Sequence, residues 1–425
     1  MAAKIKSNSN IRVLLSEGSS TNVREMITAL GPLGYTLDIC DPNPLCMGRF
    51  SRYIHKVYTC PVSGSDPVGY LKFIISLLER EHYDVLFPAN EQAYLFGWAK
   101  QYLTPLVGLA VSDFSVFNRL QTKVAFMQLL DEIGLPHPPS RMARSWPEIE
   151  HAAGKFSFPF YIKISYGTAS TGVWRVDSKE SLAEIRSNLD HLGLLDGQTE
   201  FLVQAGASGY FEQSHAIYDR GRLLAFHCDR RLVEGANGGP VLKIGVDRPL
   251  VRQHFEKIGN YLAWHGSLSI DYFWDEQTGR PAYIDANPRI TEPMNALVNG
   301  INLADLQVRL SLGEVIAPIP PTQEGLKSHN LVQAMLGAAV NPHSWKSVLH
   351  EFTQVVFKLG LYQGSREGLT PVRQDPLSIL PILNTLAILL FKPQDKPTLV
   401  TKTISDYSLG AAIPKISKME PQAFL

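Results

Sequence analysis

A chain of 425 residues that is 45% hydrophobic and 19% charged has the make-up of a soluble globular enzyme with room for two or three cores. Its 40 Lys and Arg balance 40 Asp and Glu, which argues against a nucleic-acid groove or a polybasic membrane surface. Four cysteines without Cys-x-x-Cys spacing argue against a disulfide framework or a zinc site and for a reducing, cytoplasmic compartment.

The first ten residues carry charge but no apolar run, so no secretory signal is expected. Ile11 to Leu15 predicts a buried strand, Ser16 to Ser20 a turn, and 22–30 an amphipathic helix. Strands follow at 35–40 and 84–88, with a helix over 71–80 between them. Alternation of strand and helix predicts a doubly wound parallel sheet over roughly residues 10–111. Its first turn holds only Gly18, so no dinucleotide fingerprint is present. Asn90 and Glu91 follow a strand end, where such sheets carry ligand contacts; a plain loop or helix cap accounts for Glu91 as well.

A helix is predicted over 122–133, and Pro136, Pro138 and Pro139 then force extended chain. Phe158 to Ser165 reads as a strand with Lys163 near its end. Tyr166-Gly-Thr-Ala-Ser-Thr-Gly172 is a loop of small residues, and 173–176 a second strand. Strand–loop–strand is not a Walker P-loop. Gly167 and Gly172 permit close backbone approach, and Ser170 and Thr171 offer hydroxyls and amides to phosphate oxygens. A hairpin turn with no ligand gives the same pattern. Glu200 to Gln204 is an apolar strand. Leu223 to Arg231 is another, ending in two arginines that must point to opposite faces. Arg230 is the one expected to hold a carboxylate or phosphate. Residues 234–240 read as a flexible loop.

Gly266 to Asp275 and Pro281 to Arg289 predict a hairpin. With a five-residue loop, Asp275 faces Pro281, Phe273 faces Tyr283 and Asp271 faces Asp285, with Asn287 on the same face. Opposed Cβ atoms lie about 4.5–5.5 Å apart, so the two carboxylates call for a cation between them. Mg²⁺ takes such oxygen sets, with Mn²⁺ as its alternative. Arg289 adds a fixed positive charge. An even-numbered loop would separate the aspartates. Glu292 and Asn295 follow in a loop and helix near this site. Beyond Pro318 the chain is unassigned. A short strand is expected at 353–357. The apolar run 379–391 contains Pro381 and Asn384, is shorter than the roughly 20 residues a membrane span needs, and is expected to form a buried or interface helix.

Asp285-Ala-Asn287-Pro-Arg289, with an acidic residue one strand earlier, resembles the metal-binding end of ATP-grasp enzymes, whose usual form is Glu-x-Asn-x-Arg. Asp285 is the departure. The resemblance covers roughly residues 110–310 well and 10–110 weakly. It implies an N-terminal α/β domain (10–111), an ATP-grasp domain of two α+β subdomains (112–317, lid about 150–205) and a C-terminal region (318–425). It further implies ATP and Mg²⁺ as cofactors, with Lys123 and Lys163 on nucleotide phosphates. Gln204 and Ala205 are the adenine hinge, Glu212 the ribose carboxylate, and Arg289 the transition-state contact. Asp271, Asp285 and Asn287 are the metal ligands.

The expected enzyme is an ADP-forming ligase that turns a small acid into an acyl phosphate and joins it to a small amine. It needs neither nucleic acid nor membrane, and a homodimer is compatible with it. Two alternatives stand: a bicarbonate-activating enzyme of the carboxylase or carbamoyl-phosphate type, and a nucleotide-binding regulatory module without turnover.

Overall fold

The computed structural model describes residues 8–167, 171–321, 324–340, 345–391, 408–416, 418–419 and 421–423. Strands β1 (Arg12–Leu15), β2 (Thr36–Asp41), β3 (Ile54–Thr59) and β4 (Val85–Phe87) form a parallel sheet in the order β3-β2-β1-β4. Val13, Leu14 and Leu15 in β1 are fully buried, as a central strand covered on both faces requires. Between β1 and β2 runs α1 (Thr21–Leu30), whose Ser20 cap accepts from the Val23 amide at 3.1 Å. Between β3 and β4 runs α2 (Pro67–Glu81), with Pro67 in its first turn and Asp66 accepting from the Gly69 amide at 2.8 Å. This is the parallel α/β unit that the alternating pattern predicts.

After α3 (Lys123–Glu132), strands β5 (Ser140–Ala143), β6 (Phe160–Ile164), β7 (Val173–Val176) and β8 (Phe201–Ala205) make an antiparallel sheet in the order β5-β8-β6-β7. Ile149, Phe160, Ile162, Leu189, Phe201 and Val203 form its own core. This sheet starts at Ser140, ten residues earlier than the predicted lid.

The largest sheet has seven strands: β9 (Tyr210–Asp219), β10 (Arg222–Glu234), β11 (Pro240–Val246), β12 (Gly266–Asp275), β13 (Arg280–Asn287), β14 (Lys327–His329) and β15 (Arg366–Glu367). Their order is β13-β12-β9-β10-β11-β14-β15, antiparallel except for the last pair. One face is mostly apolar and lies on α4 (Pro249–Leu262), with Phe226 and Phe255 edge to face at 5.1 Å, and carries a buried charge cluster around Glu212 at one end. Full burial of Phe255 and Ile258 contributes roughly 1.5–3 kcal/mol each. The other face carries charge and lines the site.

The segment after 318 is not a separate appendage. It supplies β14, then α5 (Leu331–Val340), α6 (Trp345–Val356), β15 and α7 (Ile379–Phe391). The strand expected at 353–357 lies in and just after α6: Val348, Phe352 and Val355 recur at helical spacing and pack inward, so the longer period overrides a short β-branched run. The helix expected at 379–391 is present as α7, with Ile382 and Leu389 buried. Among the described residues no helix is long and apolar enough to cross a membrane. All four cysteines are buried and unpaired in disulfides.

Candidate active site

The hairpin β12–β13 sets the geometry. Its turn has four residues, not five: Asp275 pairs with Arg280, and Phe273 with Ala282 rather than Tyr283. By itself that register would separate the two aspartates. A bulge restores parity, because Tyr272 pairs with Tyr283 while Asp271 pairs with Asp285, leaving Ile284 as the extra residue. Ser269 then pairs with Asn287. Asp271, Asp285 and Asn287 all line one cavity of about 650 Å³, together with Arg289.

Odd-numbered positions on the neighbouring strands share that face. The Gln213 amide on β9 donates to Asp271 Oδ1 at 2.8 Å, and Lys243 on β11 donates to Gln213 Oε1 at 3.2 Å. The Lys243 ammonium also lies 2.8 Å from Asp229 and 2.9 Å from Glu292. Burial would raise the Asp229 carboxyl, but Lys243 and the hydrogen bond with His215 (3.1 Å) overcome it and hold the group below the usual carboxylate range. Burial lowers His227, which bonds Asn295 at 2.9 Å, to about 4. Asp271 behaves oppositely. Burial, then the charge of Asp285, pushes its carboxyl up to about 6, against the Gln213 hydrogen bond. A half-buried acid raised by desolvation and then by a neighbouring acid is the electrostatic signature of a site that favours a cation.

The small antiparallel sheet supplies the facing wall. Lys123, 5% exposed at the start of α3, sits 3.4 Å from Asp285 Oδ2 and donates to the Gly167 carbonyl at 2.9 Å. Lys163 on β6 donates to Gln204 Oε1 at 2.7 Å. Burial draws its ammonium down to about 8, with Asp285 pulling it back up. Tyr161, Val173, Gln204 and Ala205 complete this wall. The Gln204 amide nitrogen donates to Ser140 Oγ at 2.9 Å, and the Ala205 amide is committed to the Pro139 carbonyl at 2.9 Å. Gly167 and Gly172 stand at the base of the small-residue loop. A Cβ on Gly167 would lie 2.4 Å from the Thr171 carbonyl oxygen, and Gly172 has φ +72°. Ser170 lies outside the described residues.

No protein-family model matches the chain. The arginine-specific carbamoyl phosphate synthase large chain of Bacillus subtilis is 23% identical over 345 residues, covering 79% of this chain and 31% of that protein. The chain thus spans about a third of the length of the curated relatives it matches. The biotin carboxylase domain of Hydrogenobacter thermophilus 2-oxoglutarate carboxylase, in complex with MgADP, ADP and bicarbonate, superposes with TM-score 0.58 at 16% identity, over 72% of this chain and 70% of that one. An L-amino acid ligase from Bacillus licheniformis gives 0.55 at 16% identity, over 72% and 75%. The chain has the ATP-grasp fold.

Gly167, Thr171 and Gly172, expected at the phosphates, are not among the residues that line the cavity, and two further expected residues lie on another face of the large sheet. Arg230 and Glu212 sit at even positions on β10 and β9 and therefore on the opposite face. There Glu212, fully buried, accepts from Arg230 Nε at 2.8 Å, Arg248 Nε at 2.9 Å and the Tyr272 hydroxyl at 2.9 Å, while Arg230 also pairs with Glu276. Neither lines the cavity. Arg231 does, with its guanidinium 4.3 Å from the Phe211 ring centroid and bonded to the Gly238 carbonyl.

Gln213, Lys243, Glu292, Arg231 and the start of α1 are the site residues that sequence reading passed over or left in the background. Polar residues at every second position inside otherwise buried strands (Gln213 and His215, Asp229 and Arg231) were the available signal.

The donor set suits a hard divalent cation. Among the described residues no three His, Cys, Asp or Glu side chains converge as a metal cage. Two facing carboxylates and an amide oxygen instead leave positions for phosphate oxygens and water, the ligation Mg²⁺ favours.

Proposed function

We propose that the protein is an ATP- and Mg²⁺-dependent ligase that activates a substrate carboxylate as an acyl phosphate and joins it to an amine. The observation that carries this reading is the facing pair Asp271 and Asp285 in one cavity with Lys123 and Lys163. Asp271, Asp285 and Asn287 would hold magnesium, which when bound draws charge from the β- and γ-phosphate oxygens. Lys123 and Lys163 offset the remaining phosphate charge from the opposite wall. Tyr161, Val173, Gln204 and Ala205 seat the base. Arg289, permanently charged and 8% exposed, stabilises the charge that builds as the γ-phosphoryl transfers.

A carboxylate oxygen bonds to the γ-phosphorus as the bond to ADP breaks. The amine nitrogen then bonds to the acyl carbon, phosphate departs, and the nitrogen loses a proton. Arg231 on the site face is a further cation beside an anionic substrate group.

The second reading takes bicarbonate as the acid. It is supported by the bicarbonate held in the Hydrogenobacter structure. Measuring ADP release with bicarbonate alone, with ammonia, and with acids plus amines separates the two. The ligase reading predicts ADP release that requires an organic acid; full turnover on bicarbonate alone contradicts it.

A further inference from the structure

One part of the cavity is not needed for nucleotide or metal. Met47 from the β2–β3 connection, Ala236 from the β10–β11 connection, and Val332 and Leu336 on α5 line it. Val332 and Leu336 are four residues apart, on one helix face. Met47 packs against the cluster that holds Ala236, Val332 and Leu336, so the patch is continuous. It is also rigidly placed. A Cβ on Gly337 would lie 2.8 Å from the Gly235 Cα, and one on Gly235 2.8 Å from the Gln333 carbonyl oxygen. The connection read from sequence as a flexible loop is thus pressed directly onto α5.

Polar groups suited to an anion border this patch. Ser19 to Asn22 and Arg289 line the same cavity. The Thr21 and Asn22 amides open α1, ahead of any intrahelical acceptor. Asn22 is fixed by hydrogen bonds from its Nδ2 to the Ala89 carbonyl (2.7 Å) and the Ile290 carbonyl (2.9 Å), while its Oδ1 accepts from the Glu292 amide (2.9 Å). Helix start and arginine therefore line one cavity with an apolar wall to which the C-terminal region contributes Val332 and Leu336.

Resting on the ligase reading, we propose that the acid activated here carries an apolar body, branched aliphatic or aromatic. Its carboxylate lies between Arg289 and the amides of Thr21 and Asn22, and its body lies against Met47, Val332 and Leu336. Bicarbonate would leave that wall uncovered. An α-amino acid and its deamino counterpart share this chemistry.

The test is ADP release from the full chain with ATP, Mg²⁺ and hydroxylamine as the amine. The acids are acetate, glutamate, lysine, leucine, phenylalanine and 4-methylpentanoate. The proposal expects kcat/KM for at least one apolar-bodied acid to exceed that for acetate and glutamate by roughly 10- to 100-fold. Leucine against 4-methylpentanoate tells the amino acid from the plain acid. Leu336→Ala should lower the preferred acid's kcat/KM about tenfold, and Leu336→Arg further, with ATP affinity by calorimetry within about twofold of the parent. Equal use of acetate or glutamate, or no effect of either variant on the preferred acid, overturns the proposal. ATP binding without turnover of any acid overturns it while leaving the nucleotide site standing. Failure to bind ATP overturns the ligase reading as well.

Discussion

Asp271 stands opposite Asp285, and burial, then the charge of Asp285, pushes the Asp271 carboxyl upward, to about 6 from 3.8. The folded-state value therefore lies above the unfolded one. Between about pH 4 and 6 the folded chain holds the extra proton, so this group's contribution to stability falls as pH rises through that window. Asp271→Asn keeps an oxygen for the Gln213 amide and removes the charge that faces Asp285. It should raise metal-free stability at pH 7 by roughly 1–3 kcal/mol, with little change at pH 4, while weakening Mg²⁺-dependent ATP binding. Thermal unfolding of both proteins at the two pH values checks this; equal melting temperatures at pH 7 contradict it.

Arg230 and Arg231 make a matched contrast. Arg231 faces the cavity, whereas Arg230 belongs to the Glu212–Arg248–Glu276 cluster on the other face. Arg231→Ala should reduce kcat/KM by tenfold or more at nearly unchanged melting temperature. Arg230→Ala should lower the melting temperature, by leaving part of the buried Glu212 charge uncompensated, and change kcat/KM less than threefold. The reverse pattern, read from turnover and thermal unfolding together, would place the functional arginine on the wrong strand face.

The C-terminal region is tied to the first sheet by an ion pair between fully buried side chains. Arg24 on α1 lies 2.7 Å from Asp375, whose other oxygen accepts from the Arg52 amide at 2.9 Å. Removing one partner strands the other charge, which costs roughly 3–5 kcal/mol. Asp375→Ala should therefore lower the melting temperature and expose residues beyond 318 to protease, and because α5 walls the cavity it should also weaken substrate use. Unchanged proteolysis would mean that this contact does not hold the region in place.

The parallel sheet and the acidic hairpin were legible because buried strands alternate with helices and because two strand-like runs, each carrying an aspartate, flank a turn. Ile284 shows how narrow that legibility was. The turn is shorter by one residue than the reading required, and a bulge supplies the missing residue. Nothing in Tyr-Ile-Asp signals a bulge. Arg230 was preferred over Arg231 without a parity argument, although counting back from Asp229 and His227, or across to Gln213, would have selected Arg231. The wall formed by Val332 and Leu336 was out of reach for another reason. It depends on contacts of α5 with the β10–β11 connection and with Met47, both far away in the chain, which local pattern does not encode.

The account's central claim is that Asp271 and Asp285 hold the cation of an ATP complex. Calorimetric titration of ATP into the protein, with and without Mg²⁺, tests it on the parent chain and on Asp285→Ala. The account predicts binding that strengthens at least tenfold with Mg²⁺ in the parent and loses that increment in the variant, with the fold retained by circular dichroism. Binding indifferent to Mg²⁺, or a variant that matches the parent, would contradict it.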